Sequence, residues 1–458
     1  MSSTKRVAVL GAGIAGLTAA TELRRNGVDV TVFEATNRVA GLAASHHDED
    51  GFAYDTGAHF ITNRLAAAIG VGASCRTVRR YGEAVWMGGK TYGYPTGLLG
   101  VPKYLASALA SRVRPHRDFG PTGSAAEWFR RSYGTALANE IALPLLEAWS
   151  GAPADELSAA VGDKIPSGLG ETVRLKLAAR LSRRAVAIGY CGEQPQSASV
   201  YHVYPEHGVS TLCERLADEL GDVIQVESPV QKIFIDDVRV VGVRVAGRDE
   251  EFDAVFSTAP VNVLPRLVDG TPHTLDRFGD FRFRPMLFVN LKLRGRDLIP
   301  DVVVWAPEDR YDFFRLTEAP LSMPWLAPEG STMLTVDIGA EVGDRHWEMS
   351  DDQLTELCLE QLTDLIPDVR GRYAGSRVVR TKIAYPVFRL DYEPARQALE
   401  HSTGVENLVS IGRNGEFAHI LMEDVYWRTL RKTRRWLRES SARFTSGAHV
   451  PRISMQQV

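Results

Sequence analysis

Cysteine is scarce in this chain of 458 residues. The four cysteines, Cys75, Cys191, Cys213 and Cys358, are scattered, and no two of them form a CxxC pair. This spacing gives no zinc framework, and we expect no bound metal. It is also typical of proteins in a reducing compartment, so we expect a cytoplasmic protein without disulfides.

Long apolar runs are absent as well. No stretch approaches the roughly 20 residues that a membrane-spanning helix requires, so we expect no integral membrane association. The apolar stretch after Lys5 and Arg6 superficially resembles a signal peptide. However, it contains Gly11, Gly13 and Gly16 and continues into a helical pattern. A dinucleotide-binding turn explains that combination better.

An excess of positive charge is the third missing feature. The 53 Lys and Arg residues face 57 Asp and Glu residues, which gives a formal net charge of −4. A global basic field that would attract nucleic acid is therefore not expected. The apolar content of 44% and the charged content of 24% are those of an ordinary globular protein. The length allows for two or three domains, on a prior of roughly 150 residues each.

The start of the chain has the pattern of a βαβ unit. Residues 6–10 (RVAVL) predict a short buried strand, and Leu17–Asn26 predicts a helix. Val28–Glu34 predicts the next strand. Parallel strands joined through a helix belong to a doubly wound sheet. We therefore predict an α/β protein with a Rossmann-type domain.

The motif Gly11-x-Gly13-x-x-Gly16 lies between the first strand and the helix. The first glycine permits the tight turn, the second lets the backbone approach a pyrophosphate, and the third lets the helix pack close to the strand. The helix N-terminus offers N–H groups and a partial positive charge to phosphates. Glu34 ends the second strand, where its carboxylate can accept hydrogen bonds from ribose hydroxyls. Its charge disfavours the 2′-phosphate of NADP.

The rest of the chain divides by composition. Residues 81–203 have helical spacing, as in Ala125–Tyr133 and Ala136–Trp149, and predict a helical insertion. Residues 271–404 alternate strand-like runs with one helix, Asp351–Leu365, and predict a second domain with a mixed sheet. The predicted parts are a discontinuous nucleotide-binding domain (1–80, 204–270 and 405–440), a helical substrate-covering region (81–203), a mostly antiparallel substrate domain (271–404) and a loose tail (441–458).

The residues from Glu34 onward bear on which dinucleotide is bound. They give the pattern E-A-x-x-R-x-x-G. This pattern resembles the flavin amine oxidase, protoporphyrinogen oxidase and UDP-galactopyranose mutase superfamily, in which Glu-x-x-x-Arg-x-Gly-Gly carries the flavin diphosphate. Position 40 is Ala where the family usually has Gly. Either the backbone approach is relaxed there, or the Arg38 loop differs.

The resemblance extends over most of the chain. Tyr54–Phe60 resembles the family segment beside the isoalloxazine ring, and Ser257–Pro260 resembles its strand-ending TAP. Gly412–Gly415 and Met422–Asp424 resemble the element whose helix N-terminus faces the flavin. The resemblance implies FAD, bound without a covalent link because no cysteine follows Cys358. It implies FAD contacts at Gly11, Gly13, Ile14, Ala15, Gly16, Glu34, Ala35, Arg38, Gly41, Leu42, Gly57, Ala58, His59, Val230, Thr258, Gly412, Arg413, Met422 and Glu423.

Three residues are candidates for catalysis on the same resemblance. His59 would lie near the flavin, where it either acts as a base or donor or only shapes the ring pocket. Tyr385 either walls the substrate pocket or is a core tyrosine. Arg413 follows a glycine after which amine oxidases more often carry an acidic residue, whereas the mutases and many protoporphyrinogen-oxidase-like proteins carry Arg. Simple amine oxidation is therefore less favoured.

Two functions remain open. The first is an FAD-dependent oxidase, dehydrogenase or desaturase that removes hydride from a small organic substrate in a biosynthetic role. The second is a flavin-dependent sugar isomerase of the UDP-galactopyranose mutase type, with no net redox change. The substrate would be a small molecule, either an anionic compound or a nucleotide sugar. Basic clusters at 112–117, 180–184 and 428–438 either bind such an anion or a membrane surface, or are solvated helical faces.

Overall fold

The computed structural model describes residues 5–94, 96–113, 123–164, 174–175, 179, 183–270 and 273–445. This part of the chain forms a parallel sheet, a larger mixed sheet and three small sheets, with helices packed around them. The predicted α/β class is confirmed. None of the helices in these ranges combines the length and the apolar character that crossing a membrane requires.

The parallel sheet is built from five short strands. They are β1 (Arg6–Leu10), β2 (Asp29–Phe33), β10 (Ile224–Gln225), β14 (Ala254–Ser257) and β21 (Leu408–Ser410). Their order is β10-β2-β1-β14-β21, and every neighbouring pair is parallel. The strands are apolar on both faces because both are covered. Helices α1 (Ile14–Arg25) and α15 (Met422–Thr445) pack on one face, and a small, mostly antiparallel sheet packs on the other.

The larger sheet has seven strands. They are β7 (Glu83–Met87), β8 (Lys90–Gly93), β16 (Phe283–Arg294), β17 (Val303–Trp305), β18 (Arg315–Thr317), β19 (Ser331–Gly339) and β20 (Tyr373–Pro386). Their order is β20-β16-β19-β18-β17-β7-β8, and only the pair of β17 and β7 is parallel. Helix α11 (Asp351–Leu362) covers the outer face, which leaves the inner face for the candidate site.

Three smaller sheets complete the β-structure of the described residues. One contains β11 (Val230–Asp236), β12 (Arg239–Val245), β13 (Arg248–Glu251) and β15 (Val268–Asp269). The second contains β5 (Ile61–Thr62), β6 (Cys75–Thr77) and β9 (His202–Pro205), and the third is the hairpin of β3 (Ser45–His47) and β4 (Ala53–Asp55).

The other α-helices surround these sheets. They are α2 (Asn63–Ile69), α3 (Thr96–Leu99), α4 (Pro102–Val113), α5 (Ala125–Tyr133), α6 (Thr135–Leu137), α7 (Leu143–Ser150), α8 (Thr211–Leu220), α9 (Leu264–Leu267), α10 (Arg345–Glu348), α12 (Val369–Arg372), α13 (Glu393–His401) and α14 (Gly412–Gly415). Side-chain caps fix several helix starts: Ser124 accepts a hydrogen bond from the Glu127 N–H at α5, and Ser350 forms a capping box with Gln353 at α11.

Three sequence expectations were wrong in detail. The predicted helical region, 81–203, contributes β7 and β8 to the seven-stranded sheet, because their alternating side chains pack on both of its faces. The predicted helix over Ala136–Trp149 contains a π-helical turn at Ala138–Ala142. The tail predicted to be loose from residue 441 begins as helix, since α15 continues to Thr445. The rest of that tail lies outside the described residues, and the division into domains stays a prediction.

Candidate functional site

The glycine-rich turn after β1 is held by contacts that exclude a side chain at two of its glycines. Gly11 has a φ of +98°, and a Cβ there would lie 2.1 Å from the hydroxyl oxygen of Thr258. That hydroxyl donates to the Leu10 carbonyl over 2.7 Å, so it fastens the turn to β14. A Cβ on Gly16 would lie 1.9 Å from the Gly11 carbonyl oxygen. The helix therefore packs as closely on the turn as the motif predicts.

Gly13 differs, because the protein itself has room for a side chain there. Its φ is −80°, and the nearest atom to an added Cβ would be the Ala40 carbonyl oxygen at 3.7 Å. Gly13 precedes α1, whose first N–H groups, on Ile14, Ala15 and Gly16, have no partner within the helix. Because Gly13 has no side chain, the space next to these donors is free for a pyrophosphate. The residues present therefore fit the dinucleotide cofactor that the sequence predicts.

Glu34 braces the same turn from the end of β2. Its Oε2 accepts a hydrogen bond from the Ala12 N–H over 2.8 Å. Its Oε1 accepts from the N–H and the hydroxyl of Thr36, over 2.9 and 2.8 Å. A carboxylate has about four acceptor positions, so Oε2 keeps one for a ribose hydroxyl. Val230 begins β11 close to this point, since the Ser228 N–H donates to the Glu34 carbonyl over 2.8 Å.

Ala40 shows how the chain accommodates its departure from the family pattern. Its φ is +94°, in the left-handed region, and its N–H donates to the Ala12 carbonyl over 2.9 Å. The backbone approach is therefore kept, and Ala40 adopts a conformation that costs a non-glycine residue about 1–2 kcal/mol. Arg38 is exposed on the preceding loop, and Gly41 and Leu42 begin a short 3₁₀ turn.

The segment Gly57-Ala58-His59 crosses the inner face of the seven-stranded sheet. Gly57 has a φ of +86°, and a Cβ there would lie 3.3 Å from the Phe288 ring. The His59 Nε2–H donates to the Thr56 carbonyl over 3.0 Å, because a carbonyl can only accept. Burial lowers the pKa of His59, against a raising effect of Asp55. His59 is therefore neutral at pH 7, with Nδ1 left as the acceptor.

The residues near the start of α15 come next to α1. Gly412 has a φ of +78°, and a Cβ there would lie 2.7 Å from the Ala15 Cβ, so the turn at Gly412 packs directly on α1. Met422 begins α15, whose N-terminus carries a partial positive charge. This placement fits the flavin edge that the resemblance assigns to it.

Glu423, a predicted cofactor contact, uses its side chain elsewhere. Its Oε2 accepts from the Thr62 hydroxyl over 2.7 Å, and its Oε1 accepts from the Arg64 Nε over 2.5 Å. The side chain is buried by this packing. The side chain is therefore occupied by Thr62 and Arg64, and the predicted cofactor contact at Glu423 stays a prediction that its backbone could meet.

Arg413 and Tyr385 are two of the predicted catalytic candidates, and they lie together although they are not neighbours in the sequence. The guanidinium carbon of Arg413 is 4.7 Å from the centre of the Tyr385 ring. The Nε and Nη2 atoms of Arg413 are inaccessible to solvent and have no hydrogen-bond partner. Burial lowers the pKa of Arg413 and Tyr385 raises it, but a guanidinium remains charged. A charge buried without full pairing is costly, so this arrangement fits an anionic group in contact with Arg413.

A second guanidinium, that of Arg315, approaches Tyr385 from β18. Arg315 donates through Nη2 to the fully buried carboxylate of Asp337 on β19, and its Nε has no partner. Asp337 and Tyr385 raise the pKa of Arg315 against the effect of burial. Sequence reasoning missed this pair. Its one signal is a single charge in each of two otherwise apolar strands, in FFRLT and in LTVDIG.

The register of the seven-stranded sheet explains why these side chains meet. One cross-strand row runs through Phe288, Asp337, Arg315, Trp305 and Val85. Neighbours in such a row lie on one face of the sheet. The guanidinium of Arg315 lies over the Trp305 ring, 5.6 Å from its centre. The row therefore places the buried ion pair in the middle of the inner face.

An aromatic cluster surrounds Tyr385. The rings of Trp149 and Tyr385 are 5.2 Å apart, and His419 stacks on Trp149 at 4.5 Å. His419 also lines a neighbouring cavity of about 380 Å³. Tyr385 therefore belongs to an aromatic cluster, one member of which lines this cavity, and its role as a wall of a substrate pocket stays a prediction.

The basic clusters do not supply an anion site in the described residues. Most of 112–117 and of 180–184 lies outside those residues. The cluster at 428–438 is on α15, where Arg428 and Arg431 pair with Glu193, and Arg434 pairs with Glu22. These pairs fasten α15 to its neighbours, as expected for a charged helical face.

Comparison with known proteins agrees with this geometry. Residues 14–426 match the family model for flavin containing amine oxidoreductases. Protoporphyrinogen oxidase 2, chloroplastic/mitochondrial, from Arabidopsis thaliana is 23% identical over 449 residues, with 87% of each chain covered. Reduced UDP-galactopyranose mutase has a TM-score of 0.75 at 17% identity, over 95% of this chain and 96% of its own. Cyclohexylamine oxidase from Brevibacterium oxydans has a TM-score of 0.71 at 16% identity, over 96% and 100%. The chain belongs to the flavin-containing amine oxidoreductase family, and its cofactor is FAD.

Proposed function

We propose that the protein is an FAD-dependent oxidase or dehydrogenase that removes hydride from a small organic substrate carrying an anionic group. The observation that carries this proposal is Arg413, a charged side chain with two inaccessible nitrogens that have no partner. A structural arginine would be paired, as the arginines of α15 are. Arg413 interacts with Tyr385 but is in no ion pair among the described residues, and such a charge beside the predicted flavin segment fits a substrate anion.

Different residues of the site bind the substrate and orient it. FAD, when bound, supplies the capacity to accept hydride. Arg413 and Arg315 hold the anionic group, and Tyr385 interacts with both of them. Trp149 and Tyr385 limit the movement of the apolar part of the substrate. His59 is neutral and offers Nδ1 as an acceptor for a proton on the reacting group.

The mode of FAD binding and the location of the protein are further proposals. The four cysteines form no disulfide, the last of them is Cys358, and it is buried under the outer face of the seven-stranded sheet. These positions support FAD held without a covalent bond to cysteine. Free thiols also suit a reducing compartment, so we propose the cytoplasm.

The test compares charged and uncharged substrates on the FAD-loaded protein. Amines and alcohols with and without a carboxylate are screened for anaerobic bleaching of the flavin, and the bleached protein is then mixed with aerated buffer. Rapid reoxidation with peroxide identifies an oxidase, and slow reoxidation identifies a dehydrogenase. The Arg413→Met variant should raise the KM for the carboxylated substrate by 10- to 100-fold, on the strength of one charge-assisted hydrogen bond.

Arg435→Met is the matched control, because Arg435 is an exposed arginine that pairs with Glu439 on α15. It should leave all kinetic constants unchanged. The proposal is wrong if uncharged analogues reduce the flavin as fast as carboxylated ones, or if Arg413→Met and Arg435→Met behave alike.

A mutase of the UDP-galactopyranose type is the second candidate. Two guanidiniums that interact with the same tyrosine also suit the two phosphates of a nucleotide sugar. The chemically reduced protein is incubated with UDP-galactopyranose, and the sugar is analysed by chromatography. Conversion to an isomer without net flavin oxidation would favour this candidate over the first.

A further inference from the structure

We propose that Glu83 is a second recognition point in the same pocket, for a cationic nitrogen on the substrate whose anionic group meets Arg413 and Arg315. This inference rests on the proposed function, and it narrows the substrate class to acids that carry an amino group several ångströms away. Glu83 lies on β7, two strands from Arg315 in the seven-stranded sheet.

Hydrogen bonds fix the Glu83 carboxylate among pocket side chains. Its Oε1 accepts from the Tyr81 hydroxyl over 2.7 Å, and its Oε2 accepts from the Trp305 Nε1–H over 2.8 Å. The guanidinium of Arg315 also lies over the Trp305 ring. Tyr190 interacts with Glu83 and with Arg315. The carboxylate and the arginine therefore belong to one continuous lining.

The charge of Glu83 is not balanced by the protein. Both of its donors are neutral, and burial raises the pKa of Tyr81 well above its ordinary value, so Tyr81 remains a donor. None of the ion pairs among the described residues involves Glu83, whereas its neighbour Arg315 is paired with Asp337. Two hydrogen bonds leave about two acceptor positions on the carboxylate. A half-buried carboxylate held in this way favours a cation.

The sheet register sets the spacing between the two recognition points. Glu83 is opposite Val303, and Arg315 is opposite Trp305, two residues further along β17. Two strand spacings and two residues give a backbone separation of roughly 12 Å. Both side chains lie on the inner face and shorten this gap. A substrate of matching length would place its acid at the arginines and its nitrogen at Glu83.

The experiment uses the FAD-loaded protein and a series of simple probes. Binding of 5-aminopentanoate and 6-aminohexanoate is measured by perturbation of the flavin absorbance, and pentanoate and hexanoate are the matched probes without nitrogen. We expect the amino acids to bind at least 10-fold more tightly than the plain acids. Glu83→Gln should remove this preference, because it keeps the size of the side chain and loses the charge.

Two further variants separate recognition from structure. Tyr81→Phe removes one hydrogen bond to Glu83 but keeps its charge, so the preference should remain. Glu83→Asp also keeps the charge and serves if Glu83→Gln does not fold, as judged by circular dichroism and FAD content. If Glu83 has only a structural role, each variant should change the affinities for the amino acids and for the plain acids by the same factor.

The outcomes distinguish this inference from the proposed function. Equal affinities for amino acids and plain acids in the unaltered protein overturn the role of Glu83, as does a preference that survives Glu83→Gln. If plain acids bind and Arg413→Met abolishes that binding, the anion site stands while Glu83 fails. If none of the four probes binds, both proposals are wrong for carboxylate substrates.

Discussion

The glycine-rich turn and the inner face of the seven-stranded sheet differ in how completely their polar groups are hydrogen-bonded. At the turn, Glu34 and Thr258 satisfy backbone groups and brace the loop. On the inner face, Arg413 and Arg315 keep nitrogens without partners. The first region is a preformed backbone cradle, which needs only space for its ligand. The second keeps its charges incompletely paired, and this difference indicates which end of the site selects the substrate.

The largest expected effect comes from adding one methyl group to the turn. Gly16→Ala puts a Cβ 1.9 Å from a backbone oxygen, so we expect a loss of more than about 4 kcal/mol in the free energy of unfolding. Gly13→Ala is the matched change, because its nearest contact would be 3.7 Å away. It should change unfolding of the FAD-free protein by less than about 1 kcal/mol and still weaken FAD binding.

Urea unfolding and FAD fluorescence titration measure these two quantities. Normal FAD affinity in Gly13→Ala would show that the pyrophosphate does not approach this glycine.

The two pocket arginines should respond in opposite directions when each is replaced by methionine. Arg315→Met leaves Asp337 buried without its partner, and should destabilise the protein by about 3–5 kcal/mol. Arg413→Met removes a poorly paired charge, and should raise the free energy of unfolding by about 1–2 kcal/mol. Thermal and urea unfolding without ligand make the comparison. Equal destabilisation by both would mean that Arg413 is a structural residue.

Acid should destabilise the protein through His202, which lies on β9. Its side chain is fully buried, and burial lowers its pKa from 6.5 to about 4. The folded protein thus resists protonation, so stability is complete above pH 6.5 and is lost as pH falls toward 4. Over this window the loss is about 3 kcal/mol at 1.36 kcal/mol per unit.

His202→Phe should flatten this part of the stability curve, because Phe60, Tyr81 and Tyr190 already form an aromatic surrounding. Urea midpoints between pH 7 and pH 4 provide the measurement. The same slope in the variant would assign the loss to other groups.

The smallest expected effect is at Ala40. Ala40→Gly removes the left-handed strain but adds backbone entropy to the unfolded chain, so the net gain should be below about 1 kcal/mol. FAD affinity should stay the same, because the Ala12 contact comes from the backbone. A loss of stability would show that the loop tolerates alanine without strain.

The sequence predicted the nucleotide end better than the pocket for a physical reason. The turn, α1 and the end of β2 are local, so periodicity and glycine positions specify them within 34 residues. Gly11 and Glu34 could be named in advance from the local dinucleotide motif, and Thr258 from the family resemblance.

The pocket depends on register, which single strands do not encode. Arg315 meets Asp337 and Trp305 only through pairing across three strands. β7 was missed as a strand because its parallel partner, β17, lies more than 200 residues later. The bonds of the Glu423 side chain to Thr62 and Arg64 could not be foreseen, because a motif gives a position and not the direction of a side chain.

The order of strands in the parallel sheet has a consequence for biosynthesis. Its edge strand, β21, comes from residues 408–410, and α15 follows it. The glycine-rich turn is therefore made by the ribosome hundreds of residues before the helix that covers it. Domains generally fold as units during synthesis, yet this sheet cannot be completed until β21 and α15 have been made. We expect nascent chains that end before β21 to depend on chaperones and to capture no flavin.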